Sequence, residues 1–262
     1  MKRVYLVLLC VIAFSGNALA VEVMAGGGLM YVDREYKGTK SGLDRYKDIT
    51  WNVFDDDYSG PLPFISVDSD SFFWKMATFG YHAYRDNSTQ FNIILAHIGK
   101  DFDPDSSDNE TIKRLHKRPS TMGMGFSFEK KTLLGEFKAT AMGDILNISN
   151  SILAELSYGY GIRFGMRFSL TPSVSVRWAN KKFNEYYYGI NRDDNRRSGI
   201  DRYEPSDGWM PAVGLSAMYM FSKQNILMVH GEYSFLSSAT KDSPLVDKNG
   251  VFGMFGGFMH RF

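Results

Sequence analysis

From Met166 to Trp178 the chain alternates without a break. Met166, Phe168, Leu170, Pro172, Val174, Val176 and Trp178 are apolar, and Arg167, Ser169, Thr171, Ser173, Ser175 and Arg177 between them are polar. A period of two predicts an extended strand with one greasy and one wet face. The run exceeds the about 5–6 residues of a globular strand and reaches the about 9–11 of a tilted membrane-crossing one. The pattern recurs. Met122, Met124, Phe126 and Phe128 alternate with Thr121, Gly123, Gly125 and Ser127; Leu133, Phe137, Ala139 and Ala141 with Glu136, Lys138 and Thr140; Ile152, Ala154, Leu156, Tyr158, Tyr160 and Ile162 with Glu155, Ser157, Gly159 and Gly161. Val213, Leu215, Ala217, Tyr219 and Phe221 form a further stripe, although Met218 and Met220 weaken its polar side. Leu227, Val229, Tyr233 and Phe235 alternate with His230, Glu232 and Ser234, and the chain ends Phe252, Met254, Gly256, Phe258, His260, Phe262. Noisier strands fall at residues 21–32, 62–67, 72–84 and 91–98.

Short connectors lie near residues 85–89, 129–131, 163–165 and 222–224; long polar ones run over about 33–60, 99–118, 143–151, 182–208 and 237–250. Tight turns on one side and long loops on the other are the plan of an outer-membrane barrel, and a soluble sandwich has no need of the asymmetry. Rings near the strand ends (Phe126, Phe128, Tyr158, Tyr160, Trp178, Trp209, Tyr219, Phe221, Tyr233, Phe235) fit the aromatic girdles of such barrels. In lipid each unpaired backbone group costs several kcal/mol, so strands persist there only as a closed cylinder. The expected fold is therefore all-β: a closed antiparallel transmembrane β-barrel. The segments number eleven, whereas a single-chain bacterial barrel has an even count. Either Asp68-Ser69-Asp70 is a bulge inside one long strand, giving ten, or a strand is missing, giving twelve, with residues 48–54 as a candidate. Ten is preferred.

Residues 1–20 stand apart. Met1-Lys2-Arg3 is basic, residues 4–14 are apolar but too short to span comfortably, and Ala18-Leu19-Ala20 is a small-x-small cleavage site. They read as a secretory signal peptide, leaving residues 21–262 as the barrel. Cleavage removes Cys10, the only cysteine, so the exported chain has neither disulfides nor thiol chemistry. Thirty Lys and Arg face 29 Asp and Glu, a balance without the basic footprint of nucleic-acid binding.

The wet stripes carry charges of both signs. Glu136, Glu155 and Glu232 with Lys138, Arg167, Arg177 and His230 are expected to face the barrel interior as a paired network, since buried charges need partners. A narrow selective pore is the alternative. Catalytic signals are weak. None of the histidines at 82, 97, 116, 230 and 260 has a serine one or two residues away. Asp55, Asp56, Asp57 and His116 could supply the acid and imidazole of a rim protease but lack its spacing. Asp101, Asp103 and Asp105 open like a calcium loop, yet Ser106 and Ile112 replace the glycine and glutamate that loop needs, leaving at most weak divalent bridging to lipopolysaccharide. No catalytic, cofactor-binding or metal-binding residue is assigned.

The long loops carry a family resemblance. Tyr186-Tyr187-Tyr188-Gly189-Ile190 is followed by Arg197-Ser198-Gly199-Ile200, Tyr203 and Pro205, then by Tyr233-Ser234 and Asp242-Ser243-Pro244-Leu245-Val246. Upstream stand Tyr36-Lys37-Gly38-Thr39, Pro61-Leu62-Pro63-Phe64-Ile65 and Asp101-Phe102-Asp103-Pro104. In order and spacing they resemble the MipA/OmpV family of MltA-interacting outer-membrane proteins, over nearly the whole exported chain. Tyr187, Tyr188, Gly189, Ser198, Gly199, Asp242, Ser243 and Pro244 are the most specific matches. Residues 41–59 look like an insertion in the first loop. The resemblance implies an outer-membrane location in a Gram-negative cell and contact with outer-membrane lipid and lipopolysaccharide. It implies a non-catalytic scaffold or surface-interaction role, in the best-known member one linking a lytic transglycosylase to a penicillin-binding protein. A narrow solute channel and a surface-loop enzyme are the other readings. Phe262, ending the last strand on its outward register, resembles the signal read by the barrel assembly machinery.

Overall fold

The computed structural model describes residues 21–33, 35–38 and 60–262. The signal-peptide reading and the 41–59 insertion fall outside these residues. The strands are β1 Glu22–Val32, β2 Gly60–Asp68, β3 Phe72–Lys75, β4 Thr78–Arg85, β5 Thr89–Ile98, β6 Thr121–Thr132, β7 Gly135–Asp144, β8 Ile152–Gly159, β9 Ile162–Phe164, β10 Phe168–Ala179, β11 Gly208–Met220, β12 Asn225–Phe235 and β13 Gly250–Arg261. Three short helices, α1 Lys181–Tyr188, α2 Arg192–Ser198 and α3 Ser238–Lys241, lie in the connections at one end. Each strand pairs antiparallel with the next, except that β8 and β9 both pair with β10, and β13 returns to pair with β1, so the sheet closes on itself.

Of the two counts the sequence left open, the ring has twelve strands. Asp68-Ser69-Asp70 belongs to a chain reversal rather than a bulge: the Ser69 N–H donates to the Phe72 carbonyl at 2.8 Å. Residues 72–84 then divide at Met76-Ala77 into β3 and β4, a hairpin only four residues deep on its first arm. Aromatics on both sides of that turn hide it from a periodicity reading. β8 and β9 occupy one place in the ring. Ser173 pairs with Gly159, and Leu170 pairs with Ile162 in the same register. The break at Tyr160-Gly161 lies opposite Pro172, whose carbonyl accepts from the Tyr160 N–H at 3.0 Å. The Pro172 nitrogen points to that same side and has no proton to give, so the ladder lapses there. Pro61 and Pro63 share the side of β2 on which the Ile65 carbonyl accepts from Met76, beyond the tip of the short hairpin, and take no donor from the β1 ladder.

The alternation resolves as two surfaces. Met124, Phe126, Phe128, Leu156, Val174, Val213, Leu215, Phe252 and Phe258 are exposed on the outside. Thr121, Asn92 and Ser127 are buried inside. The start of β1, the end of β13 and the short turns share one end, the periplasmic one in this architecture. Two expected turns move. Glu129-Lys130-Lys131 remains in β6, and the reversal falls on Leu133-Leu134; Arg163 remains in β9, and the next reversal falls on residues 165–167. Inside, Phe64 packs edge-on against Phe255 at 4.4 Å, and Gly257 makes room, since a Cβ there would stand 2.8 Å from the Phe64 ring.

Candidate functional site: a capped barrel interior

The loops at the outer end fold into a lid. α1 starts because the Asn180 side chain accepts from the Phe183 N–H at 3.0 Å. α2 starts on Asn191, has Asp193 and Asp194 in its first turn and Arg196 and Arg197 in its last, and stops at Gly199 in the left-handed region (φ 76°). Spacing on α1 turns Phe183 and Tyr187 to one side, where they meet Tyr36, Phe102, Ile190, Leu236, Leu245 and Val246 in a buried core across the outer mouth.

The charged groups buried in this lid are paired, whereas the buried Asn184 Oδ1 on α1 has no partner among the described residues. Glu35, buried, accepts from the Tyr188 hydroxyl at 2.6 Å and from Lys100 at 2.8 Å. Arg118, also buried, donates to the Tyr187 carbonyl at 2.7 Å, the Gly189 carbonyl at 2.8 Å and Asp194 at 3.1 Å. Its guanidinium lies 5.3 Å from the Phe102 ring centre. The Asp194 carboxylate also meets His116 Nδ1 at 2.8 Å. Burial pushes the Tyr203 hydroxyl above its ordinary pKa, and Asp242 adds to the effect.

The family-motif residues therefore mostly lie within the lid. Tyr187 donates to the Pro119 carbonyl at 3.2 Å. Gly189 closes α1 through the Glu185 carbonyl, and Ser198 bonds the Asp194 carbonyl at 2.6 Å. Ser243, buried, donates to the Tyr188 carbonyl at 2.7 Å; Asp242 caps α3, and Pro244 is half-buried beside them.

Below the lid lies a cavity of about 470 Å³. Ile94, Ala96, Ile98, Leu153, Met210 and Val251 line it together with charged groups. Lys138 meets Glu129 at 3.2 Å and Arg177 meets Glu155 at 2.8 Å across neighbouring strands. His230 Nδ1 lies 2.8 Å from the Ser216 hydroxyl, and Glu232 accepts from Ser234 at 3.3 Å. Glu136 is exposed near the periplasmic mouth. Arg167 does not join the interior set. Gly165 (φ 67°) opens a hairpin, and Arg167 lies exposed in its turn, just before β10 begins.

A second interior network escapes sequence reading. Asp68 meets Lys75 at 2.8 Å and Arg85 at 2.6 Å. His82, buried, has Nδ1 2.6 Å from the Asn92 carbonyl oxygen, and the Asn92 amide donates to Ser127 at 2.9 Å. Its Nε2 lies 3.2 Å from both the Asp68 carboxylate and the Arg85 guanidinium, which joins the two groups into one network. Only the chain reversal at Ser69 brings Asp68 to His82, so no local motif announces it.

Among the described residues no cluster of three or more His, Cys, Asp or Glu is arranged to hold a metal. Asp101 accepts from the Ser120 N–H at 2.9 Å, and Asp103 pairs with Lys117 at 3.0 Å. Two serine–histidine contacts form in space, Ser120 with His97 at 2.5 Å and Ser216 with His230. Asp101 bonds the Ser120 hydroxyl itself, at 3.4 Å, which is not the acid–histidine order of a hydrolase triad.

The family model for MltA-interacting protein MipA matches residues 25–262. The chain belongs to the MipA family. It is 32% identical over 257 residues to the putative outer membrane protein YiaT of Escherichia coli O157:H7, covering 98% of each chain. It is 31% identical over 235 residues to the MltA-interacting protein of Escherichia coli K12, covering 88% of this chain and 92% of that one. Among solved structures the NanC porin superposes with a TM-score of 0.43 at 8% identity, over 92% of this chain and 100% of that one. The chain is thus an outer-membrane β-barrel of the MipA type.

Proposed function

We propose that this barrel is a non-catalytic scaffold of the outer membrane that holds a peptidoglycan hydrolase at the inner face of that membrane. The observation that carries the reading is the lid. Among the described residues the outer mouth holds a buried aromatic core whose buried charges are paired, which suits a rigid platform better than a route for solutes. The name of the 31%-identical relative, an MltA-interacting protein, supports a hydrolase as partner. We extend the proposal to a penicillin-binding synthase as a second partner, to contact with lipopolysaccharide at the outer rim, and to residues 1–20 as a cleaved signal. Phe262 is the proposed assembly signal: it is exposed, and its N–H donates to the Val23 carbonyl at 3.0 Å, at the seam that closes the ring. The interior pairs Lys138–Glu129 and Arg177–Glu155, with His230 and Glu232, brace the wall in this reading. Cross-linking in intact cells followed by affinity capture of the barrel tests it. Recovery of a murein hydrolase is the expected result; recovery of neither hydrolase nor synthase overturns it.

A further inference from the structure

Five short turns face the periplasm. Three have polar tips: Ser69-Asp70-Ser71, Asp86-Asn87-Ser88 and Ser222-Lys223-Gln224. The other two belong to neighbouring hairpins, β6–β7 and β9–β10, and each puts large apolar side chains out at its tip. Leu133 is 99% exposed, Leu134 74% and Met166 91%. The corner of a tight turn favours Gly, Asn, Asp or Ser, so leucines there gain nothing for the fold. Lipid does not explain them either. The outward rings of this sector, Phe137 against Tyr158 and Phe164 against Phe168, mark the interface, and the tips lie beyond them on the water side. The Leu133-Leu134 tip is also held in place: the Thr132 hydroxyl accepts from the Leu134 N–H, and Tyr158 of the next strand donates to the Leu134 carbonyl. Lys131, Arg163 and Arg167 flank the tips, exposed and without a carboxylate within ion-pair distance among the described residues; Glu136 is the acid facing them.

We propose that these two turns form the docking surface for a periplasmic protein whose complementary site is an apolar groove bordered by carboxylates. The proposal rests on the scaffold reading and places its partner on one sector of the periplasmic rim. Fixed apolar tips enter the groove with little ordering cost, and the basic rim selects acidic surroundings and steers the encounter. The test uses the whole exported chain in detergent and the purified MltA of the source organism as probe. The triple variant Leu133→Asp, Leu134→Asp, Met166→Asp should still fold, because turns accept Asp, and heat-modifiable migration on a gel checks that. We expect at least a tenfold loss of affinity for the triple variant. Lys131→Glu, Arg163→Glu, Arg167→Glu should lose as much and abolish the salt dependence. Ile145→Asp with Leu146→Asp, on an outer loop, should bind like the unaltered chain. Undiminished binding by the triple variant overturns this surface while leaving the scaffold reading intact; no binding by the unaltered chain sinks both. A photo-cross-linker at Leu133 gives an independent answer: capture of MltA supports the surface, and capture of phospholipid alone overturns it.

Discussion

Arg118 is the strongest single test of the lid. Its guanidinium forks across two loop carbonyls and Asp194, and both charges are nearly excluded from water, with side-chain exposures of 6% and 2%. Removing one member of a buried ion pair costs about 3–5 kcal/mol, because the survivor stays buried. Asp194 keeps His116 as a partner, so Arg118→Ala sits near the lower end, about 3 kcal/mol. At about 1.4 kcal/mol per factor of ten, lid opening should rise roughly 10²-fold. Amide hydrogen exchange followed by mass spectrometry reads this directly. Peptides covering α1 and Gly189 should exchange roughly 10²-fold faster, while β6, β10 and β11 keep their protection. Arg118→Lys keeps the charge but not the fork, and should fall between, at roughly tenfold. Exchange in α1 that changes by less than about threefold would refute the reasoning, as would an equal loss of protection in the strands.

Three further outcomes follow from the same structure. Glu155→Gln should lower stability in a urea titration by no more than about 1 kcal/mol, because the Arg177–Glu155 side chains are 47% and 33% exposed to the lumen; a loss near that of the Arg118 variant would mean the interior is dry. Gly99 adopts φ 91°, and a Cβ there would stand 2.0 Å from the Tyr187 hydroxyl, so Gly99→Ala should destabilise the lid by more than about 1 kcal/mol and accelerate exchange in α1; unchanged exchange would contradict the packing. Asp86, in a periplasmic turn, accepts from the Ser88 and Thr89 backbone N–H groups and the Tyr84 hydroxyl, and these bonds hold its carboxyl well below its ordinary 3.8. Its contribution is therefore complete above the ordinary value and is lost as pH falls through the lower folded one, and a carboxyl carbon titration with a midpoint at or above 3.8 would contradict it.

The wall of this protein was legible because lipid imposes one rule on every residue of a strand. Met124, Val174 and Leu215 face outward for the same reason, and a period of two reports it. The turns were harder. Glu129-Lys130-Lys131 looks like a reversal because it is charged, yet the charges sit on strand positions where the barrel meets water, and the reversal falls on two leucines that no propensity favours there. The lid was legible only as motif. Tyr187 and Tyr188 stand out in the sequence, but the partners that fix them, Arg118 and Glu35, come from loops about 70 to 150 positions away. Arg118 sits in a basic run whose composition gives no sign of burial. Its burial follows from where Phe102 and Asp194 arrive in space.

Single-channel recording in a planar bilayer addresses the central claim, that packed loops close the outer end of this twelve-strand barrel. The account predicts a quiet baseline for the unaltered chain and flickering openings for Arg118→Ala. Large, steady conductance steps from the unaltered protein would contradict it.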